Sequence, residues 1–255
     1  MNAYTVLAPY YDALMAHADY GGWADFAERR FARLGRPVRL ALDLGCGAGA
    51  LSAVLAERGY EVIGVDASPD MLACAAARCA GLPLPPLFLC QPLQRLDLYG
   101  TVDAAVSSFD SFNYLTDPAA LRRALARVFL FLEPGGLLLF DVRPPGYFEA
   151  ANGTASVSQT DDLHCVWRTD WNARARLARH SVTLFVRAGG LWRRYDEEHC
   201  QRAYTEKEWL SLLGEAGFCD VRLYGDKALR RPRPEEERWF LSARKPAAGR
   251  GFPKA

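Results

Sequence analysis

From Val38 onward the chain alternates short apolar runs with longer stretches whose apolar residues recur three and four positions apart. Residues 38–44 are apolar enough for a buried strand, and Leu51, Leu55 and Ala56 then share one helical face that stops before Gly59. Residues 60–65 read as the next strand. Ser68 then supplies an N-cap and Pro69 the first helical position of an alanine-rich helix reaching about Cys79. Runs at 86–90, 102–108 and 137–142 predict three more buried strands. Asp117-Pro118 opens a helix between the last two, and Glu133-Pro134-Gly135-Gly136 stops it. Such alternation predicts an α/β fold: a parallel sheet with helices on both faces and ligand sites beyond the carboxyl ends of its strands.

The flanks follow other rules. Residues 4–34 carry Tyr4, Tyr10, Tyr11, Tyr20, Trp23 and Phe26 in mixed spacing, and Gly21-Gly22 predicts a turn between two helices. Between 150 and 204, Val166, Leu184, Val186, Trp192 and Tyr195 alternate with polar residues around Asn172-Ala173 and Gly189-Gly190, the pattern of antiparallel hairpins. Thr205 and Glu208 then make a capping box for a helix through Leu213, with Gly214 and Gly217 near its end, and strands at 220–224 and 238–243 close the sheet. The organisation expected is a helical cap over 1–34, a core over 35–149 and 205–245, an inserted antiparallel β layer over 150–204, and a frayed tail over 246–255.

Composition narrows the partners. The 255 residues, half of them hydrophobic, suffice for one large core with a modest appendage. A formal charge of +1 offers no surplus for phosphate backbones, which favours a small-molecule partner over nucleic acid. The seven cysteines are odd in number and scattered, without a CxxC pair or zinc-ligand spacing, so they read as reduced thiols and no metal site is expected. The N-terminus lacks the basic start and cleavage site of an export signal, and no run approaches the roughly 20 apolar residues of a membrane span. A cytoplasmic protein without membrane partners is the expectation.

The chemistry is concentrated in the turns. Gly45, Gly47 and Gly49 sit where the first strand meets its helix, a place for a ligand to approach the backbone closely. By itself the turn also satisfies the relaxed GxGxxA dinucleotide pattern through Gly45, Gly47 and Ala50. Asp66 ends the second strand 21 positions after Gly45, where a carboxylate accepts from both hydroxyls of a cofactor ribose. Ser68 already caps the following helix, which frees Asp66 for that task.

Three segments, LDLGCGAG at 42–49, VIGVDASPDML at 62–72 and LEPGGLLLFD at 132–141, in this order and spacing resemble those of class I, Rossmann-like methyltransferases. The resemblance covers residues 38–142, and by pattern 205–244. It implies a seven-stranded, mostly parallel doubly wound sheet with its last strand antiparallel, and S-adenosyl-L-methionine as cofactor. It further implies that Asp43, Gly45, Cys46, Gly47 and Gly49 line the methionine side, that Asp66 holds the ribose, and that Ala67 and Met71 flank the adenine. Relatives place an acidic residue near the adenine amine after the third strand; here Gln91, Pro92 and Leu93 occupy that stretch. The segment from Ser107 to Tyr114 falls where the family puts the methionine moiety and the acceptor.

That segment has neither the Asn/Asp-Pro-Pro-aromatic run nor the Pro-Cys nucleophile of the nucleobase methyltransferases. With Tyr10-Tyr11-Asp12 and the hairpin insertion, it is similar to small-molecule N-methyltransferases, including those that dimethylate amino sugars. The reading is methyl transfer to an amine or hydroxyl of a small molecule, with Tyr11, Asp110 and Tyr114 as candidates for orienting the acceptor or removing its proton. A methyltransferase acting on RNA or protein and a noncatalytic S-adenosylmethionine-binding protein remain the alternatives. The first 25 residues and the insertion are expected to wall an acceptor pocket, with Tyr10, Tyr11 and Trp23 offered by the former. His17, His164, His180 and His199 read as surface or strand-face residues, and the Arg, Asp and Glu residues of the insertion as a solvated mixed-charge face.

Overall fold

The computed structural model describes Tyr4 and residues 6–247, so most of the tail expected over 246–255 lies outside the described residues. A short helix α1 (Tyr11–Leu14) precedes α2 (Tyr20–Phe31). The Asp19 carboxylate accepts from the Gly22 amide at 2.7 Å, so Gly21 and Gly22 lie inside the first turn of α2 and the chain breaks upstream, at residues 15–19. The cap satisfies an amide that would otherwise lack a partner, and this offsets the poor helix propensity of the glycine pair.

The alternating region follows as β1 (Leu40–Leu44), α3 (Ala50–Glu57), β2 (Glu61–Asp66), α4 (Pro69–Cys79), β3 (Leu87–Cys90), β4 (Val102–Ser107), α5 (Pro118–Phe131) and β5 (Leu132–Val142). Ser68 caps α4 and Asp117 caps α5, each with proline at the next position. The Glu133-Pro134-Gly135-Gly136 segment belongs to β5, which starts at Leu132 and not at Leu137. Its pairing with β4 shifts there, from Val102 with Leu132 to Ala104 with Leu137. At Gly136 a Cβ would come within 2.8 Å of the Glu133 carbonyl oxygen and 2.9 Å of that of Asp103, so only glycine passes this bulge.

Next come α6 (Pro145–Ala151) and the strands β6 (Ala155–Gln159), β7 (Leu163–Asn172), β8 (Leu177–Ala188) and β9 (Leu191–Arg202), a separate antiparallel sheet in the order β6-β7-β8-β9. Gly189 and Gly190, at φ +58° and +83°, make the two-residue turn that pairs Ala188 with Leu191. α7 (Glu206–Glu215), opened by the Thr205–Glu208 capping box, leads to β10 (Cys219–Tyr224) and β11 (Trp239–Arg244).

The main sheet runs β10-β11-β5-β4-β1-β2-β3, with β11 antiparallel to both neighbours and the remaining strands parallel to one another. One face packs Leu42, Ala105 and Leu138 under α5 and α7, with Val128 and Trp209 buried between; the other is covered by α2 and α3 through Trp23, Phe26, Leu51 and Leu55. From β1 the chain winds outward to β3 and then returns to β4 on the opposite side. The strand order therefore reverses between β1 and β4, and a crevice opens at their carboxyl ends. Among the described residues no helix is long and apolar enough to cross a membrane.

Candidate active site

Beyond β1 the backbone turns through Gly45 and Gly47, at φ +68° and +52°, before Gly49 at +75° opens α3. The amides of Gly45 and Cys46 both donate to the Val65 carbonyl, at 2.7 and 3.0 Å, which pins the turn to β2. At Gly45 a Cβ would meet the Ser111 side chain at 2.7 Å, whereas nothing lies within 4 Å of one at Gly47. Asp66 closes the arrangement: its carboxylate accepts from the Gly47 amide at 2.9 Å and the Ser68 amide at 2.8 Å. Burial pushes this carboxyl up from its ordinary range, against the pull of those two amides.

A cavity of about 510 Å³ opens here, and Gly45, Cys46, Gly47, Asp66, Ala67, Met71, Pro92 and Leu93 all border it. Each Asp66 oxygen takes one backbone donor and keeps lone-pair capacity for a hydroxyl, and Ala67, Met71 and Leu93 offer apolar surface for a base, so the residues fit an adenosyl cofactor. Four other sequence candidates stand behind the wall. Asp43 is fully buried beneath the turn, accepts from Ser52 Oγ at 2.7 Å, and is pushed up by burial to about 7. Gly49 faces helix α4, where a Cβ would approach that of Ala75 to 2.8 Å. Gln91 folds onto the Asp97 backbone through two hydrogen bonds of 3.1 and 2.8 Å. Ser107 donates to the Leu44 carbonyl at 2.8 Å, stapling β4 to β1. Gln94 and Ser108, one short step along the chain from Gln91 and Ser107, border the cavity in their place, with Tyr4 and Tyr20 above.

Tyr4, Tyr11, Phe109 and Tyr114 also border a second cavity of about 460 Å³, which extends beneath the antiparallel sheet to Trp167, His180 and Gln201. Trp23 lines this second space, while Tyr10 packs against the antiparallel sheet's apolar cluster instead. Asp110 sits at its edge with φ +58°, bonded by Arg238 Nη2 at 2.8 Å and Gln201 Nε2 at 2.6 Å. The turn is held from below by Asp141, fully buried at the end of β5. Asp141 accepts from Trp23 Nε1 at 2.9 Å, from the amides of Phe109 and Asp110 at 2.7 and 3.3 Å, and from Arg238. Burial keeps the phenols of Tyr4, Tyr11 and Tyr114 well above the ordinary tyrosine range, so all three are neutral at physiological pH.

The inner face of the antiparallel sheet corrects two expectations. His180 and His199 do lie on strands, yet both are buried, and Glu197, expected on a solvated face, is only 5% exposed. His180 bonds Thr169 Oγ1 at 3.0 Å and Gln201 Oε1 at 3.1 Å, and burial lowers its pKa. Glu197 accepts from the amides of Tyr4 at 3.0 Å, Val6, and Leu7 at 3.1 Å, and meets His199 Nε2 at 3.1 Å. Burial alone would raise Glu197, but His199 and the three amides hold it below the ordinary carboxylate range. The outer face is mixed-charge as expected, with exposed pairs such as Arg168–Asp170 and Arg194–Asp196.

Residues 41–136 match the family model of a methyltransferase domain. The chain is 34% identical over 244 residues to a putative methyltransferase of Bacillus subtilis (strain 168), spanning 95% of this chain and 97% of the other. It is similar to a crystal structure of an S-adenosylmethionine-dependent methyltransferase from Clostridium acetobutylicum ATCC 824, with TM-score 0.86 and 25% identity over 96% of this chain and 100% of that one. It shares the fold of an S-adenosylmethionine-bound amino pentose methyltransferase from Micromonospora echinaspora, with TM-score 0.75 and 23% identity over 96% and 99% of the two chains. A likeness sustained over nearly the whole of both chains, on a sheet whose crevice suits an adenosyl group, makes this chain a member of the class I, Rossmann-like S-adenosylmethionine-dependent methyltransferases.

Proposed function

We propose that this methyltransferase acts on an amine or hydroxyl of a small molecule held in the second cavity. The carrying observation is the set of residues common to the two cavities, Tyr4, Tyr11, Phe109 and Tyr114, which sets an acceptor in one beside a methyl donor in the other. Both volumes fall within the roughly 300–1,000 Å³ of small-molecule sites. When bound, S-adenosylmethionine supplies an electrophilic methyl group on a sulfonium. The chain's task is to align the acceptor with it and exclude water.

In this reading Gly45, Cys46 and Gly47 seat the methionine part, Asp66 takes the ribose hydroxyls, and Ala67, Met71 and Leu93 enclose the adenine. Asp43, Gly49, Gln91 and Ser107 support these residues from behind. Tyr11 and Tyr114 stand at the passage, and Asp110, fixed between Arg238 and Gln201, offers the acceptor a polar anchor. The N-terminal cap and the β layer at 150–204 wall the acceptor, while the core at 35–149 and 205–245 carries the cofactor. Aromatic surface from Trp167 and Tyr147 beside Arg143 and Gln201 suits a compact polar molecule, and the amino pentose acceptor of the Micromonospora relative supports an amine-bearing one.

Calorimetry with S-adenosylmethionine, S-adenosylhomocysteine and NAD, then transfer of labelled methyl to a panel of small amines, amino sugars and alcohols with RNA and protein alongside, tests this. Label in at least one small molecule is expected. Label confined to RNA or protein would overturn it.

A further inference from the structure

We propose that Tyr4, Tyr114, His199 and Glu197 form a proton relay running from the boundary between the cavities into the antiparallel sheet, with Tyr4 Oη receiving the proton that the acceptor loses. The inference rests on the small-molecule reading above. Tyr4 Oη lies 2.6 Å from Tyr114 Oη, Tyr114 Oη lies 3.2 Å from His199 Nδ1, and His199 Nε2 lies 3.1 Å from Glu197 Oε2. The N-terminal segment, the turn after β4 and strand β9 each contribute to this line, so it exists only in the assembled fold.

Its direction follows from the last link. The ionised Glu197 carboxylate can only accept, so a singly protonated His199 ring carries its hydrogen on Nε2 and accepts at Nδ1. The Tyr114 hydroxyl must then donate to His199, and its oxygen accepts from Tyr4. Every hydrogen along the line points toward Glu197, and among the described residues the Tyr4 hydroxyl has Tyr114 as its one partner, on a side chain that borders both cavities. The inner end is dry, since the His199 and Glu197 side chains are 0% and 3% exposed. His199 is faced by Glu197 on its own strand, His180 on β8, Tyr114 on the β4 turn and Tyr4 on the N-terminal segment; Trp167 on β7 is its uncharged neighbour, at 5.1 Å.

Anchoring the N-terminal segment would need only the Glu197 carboxylate and the amides it binds. A buried imidazole and two buried phenols in series add a desolvation penalty for which anchoring has no use. In the relay the acceptor's N–H or O–H bond breaks and its electron pair stays on the heteroatom. The proton goes to Tyr4 Oη as the Tyr4 proton passes to Tyr114 Oη and the Tyr114 proton to His199 Nδ1. Both phenols end neutral, so no phenolate forms, and the positive charge gained by His199 lies against Glu197.

Two experiments on the full chain test this. Long-range NMR on isotope-labelled histidine, with S-adenosylhomocysteine bound at mildly alkaline pH, should show His199 as the Nε2–H tautomer, with an Nδ1 signal that moves in Tyr114→Phe. The opposite tautomer, or an unmoved signal, overturns the relay. With any small molecule turned over in the panel, Tyr4→Phe should lower kcat about 100-fold or more. His199→Asn keeps an acceptor near Tyr114 but cannot take the proton. It should lower kcat likewise and change the pH profile of kcat. Near-normal kcat with an unchanged pH profile in His199→Asn would reduce the line to a structural one. Absence of any small-molecule turnover would count against the acceptor reading alone, because the NMR measurement judges the relay's wiring without an acceptor.

Discussion

The turn after β1 and the inner face of the antiparallel sheet both present polar groups to a cavity, but by opposite means. In the turn, the glycines at positive φ bring the backbone to the cavity wall, and Asp66 is fastened to the amides of residues 47 and 68. In the sheet, side chains take positions that an apolar residue would otherwise fill, and Glu197 reaches a partner 193 positions away at Tyr4. A site made of backbone is insensitive to most side-chain exchanges yet fails when the chain path is altered. A site made of side chains can be changed one group at a time, and in the function proposed above acceptor choice resides in the sheet.

The sharpest way to break the first region is Gly47→Val. A β-branched residue at φ +52° carries about 1–3 kcal/mol of strain, and its side chain enters the space the ligand needs. Calorimetry should find no cofactor binding, with circular dichroism unchanged; normal binding would mean the turn is not the cofactor seat. Beneath the turn, Asp43 at about 7, against 3.8 when unfolded, favours the protonated form in the fold. Its contribution to stability is full below the unfolded value and is lost as pH rises through about 7, a change on the order of a few kcal/mol. Asp43→Asn should remove that decline, as melting temperatures taken across the window for both proteins would show; parallel curves would contradict it.

Asp66→Ala should weaken S-adenosylmethionine binding by about 1.5–3 kcal/mol, the scale of hydrogen bonds to a charged group; undiminished affinity in a folded variant would remove Asp66 from the ribose. In the second region, Gln201→Met removes one hydrogen bond from each of Asp110 and His180, which keep Arg238 and Thr169, and should lower stability by about 1–3 kcal/mol, read by denaturant titration. Cofactor affinity should stay as it was, and a parallel loss of affinity would show the two regions to be one unit. Least is expected of Arg194→Ala on the outer face of β9, whose exposed pair with Asp196 should leave melting temperature and binding alike unmoved.

The same contrast explains what was legible in the sequence. The alternation through residue 142, the caps at Ser68, Asp117 and Thr205, and the Gly189-Gly190 hairpin are local patterns whose physics is complete within a few residues. The Gly21-Gly22 break failed because the Asp19 cap outweighed propensity, and the start of β5 because a bulge lets a Pro-Gly-Gly segment remain paired. The 3-10 turn at Leu93–Arg95 brings Gln94 to the cavity, where Gln91 was expected. Strand β9 is harder still. After Tyr195 it reads Asp-Glu-Glu-His-Cys-Gln-Arg, polar on both alternating faces, so no period-two rule says which side is buried. Only the long-range partners of Glu197, His199 and Gln201 decide it.

Asp141 has a consequence for timescale. Its carboxylate is the common acceptor for helix α2 through Trp23, for the residue leading into β11, Arg238, and for the two amides of the Phe109–Asp110 turn. Those amides lie at the rim of a cavity, where turns ordinarily trade hydrogens with water in fast local openings. Here release requires undoing a fully buried carboxylate shared with two other segments. Their hydrogen exchange should therefore keep the slow clock of the sheet and not that of a loop, leaving this edge of the cavity stiff.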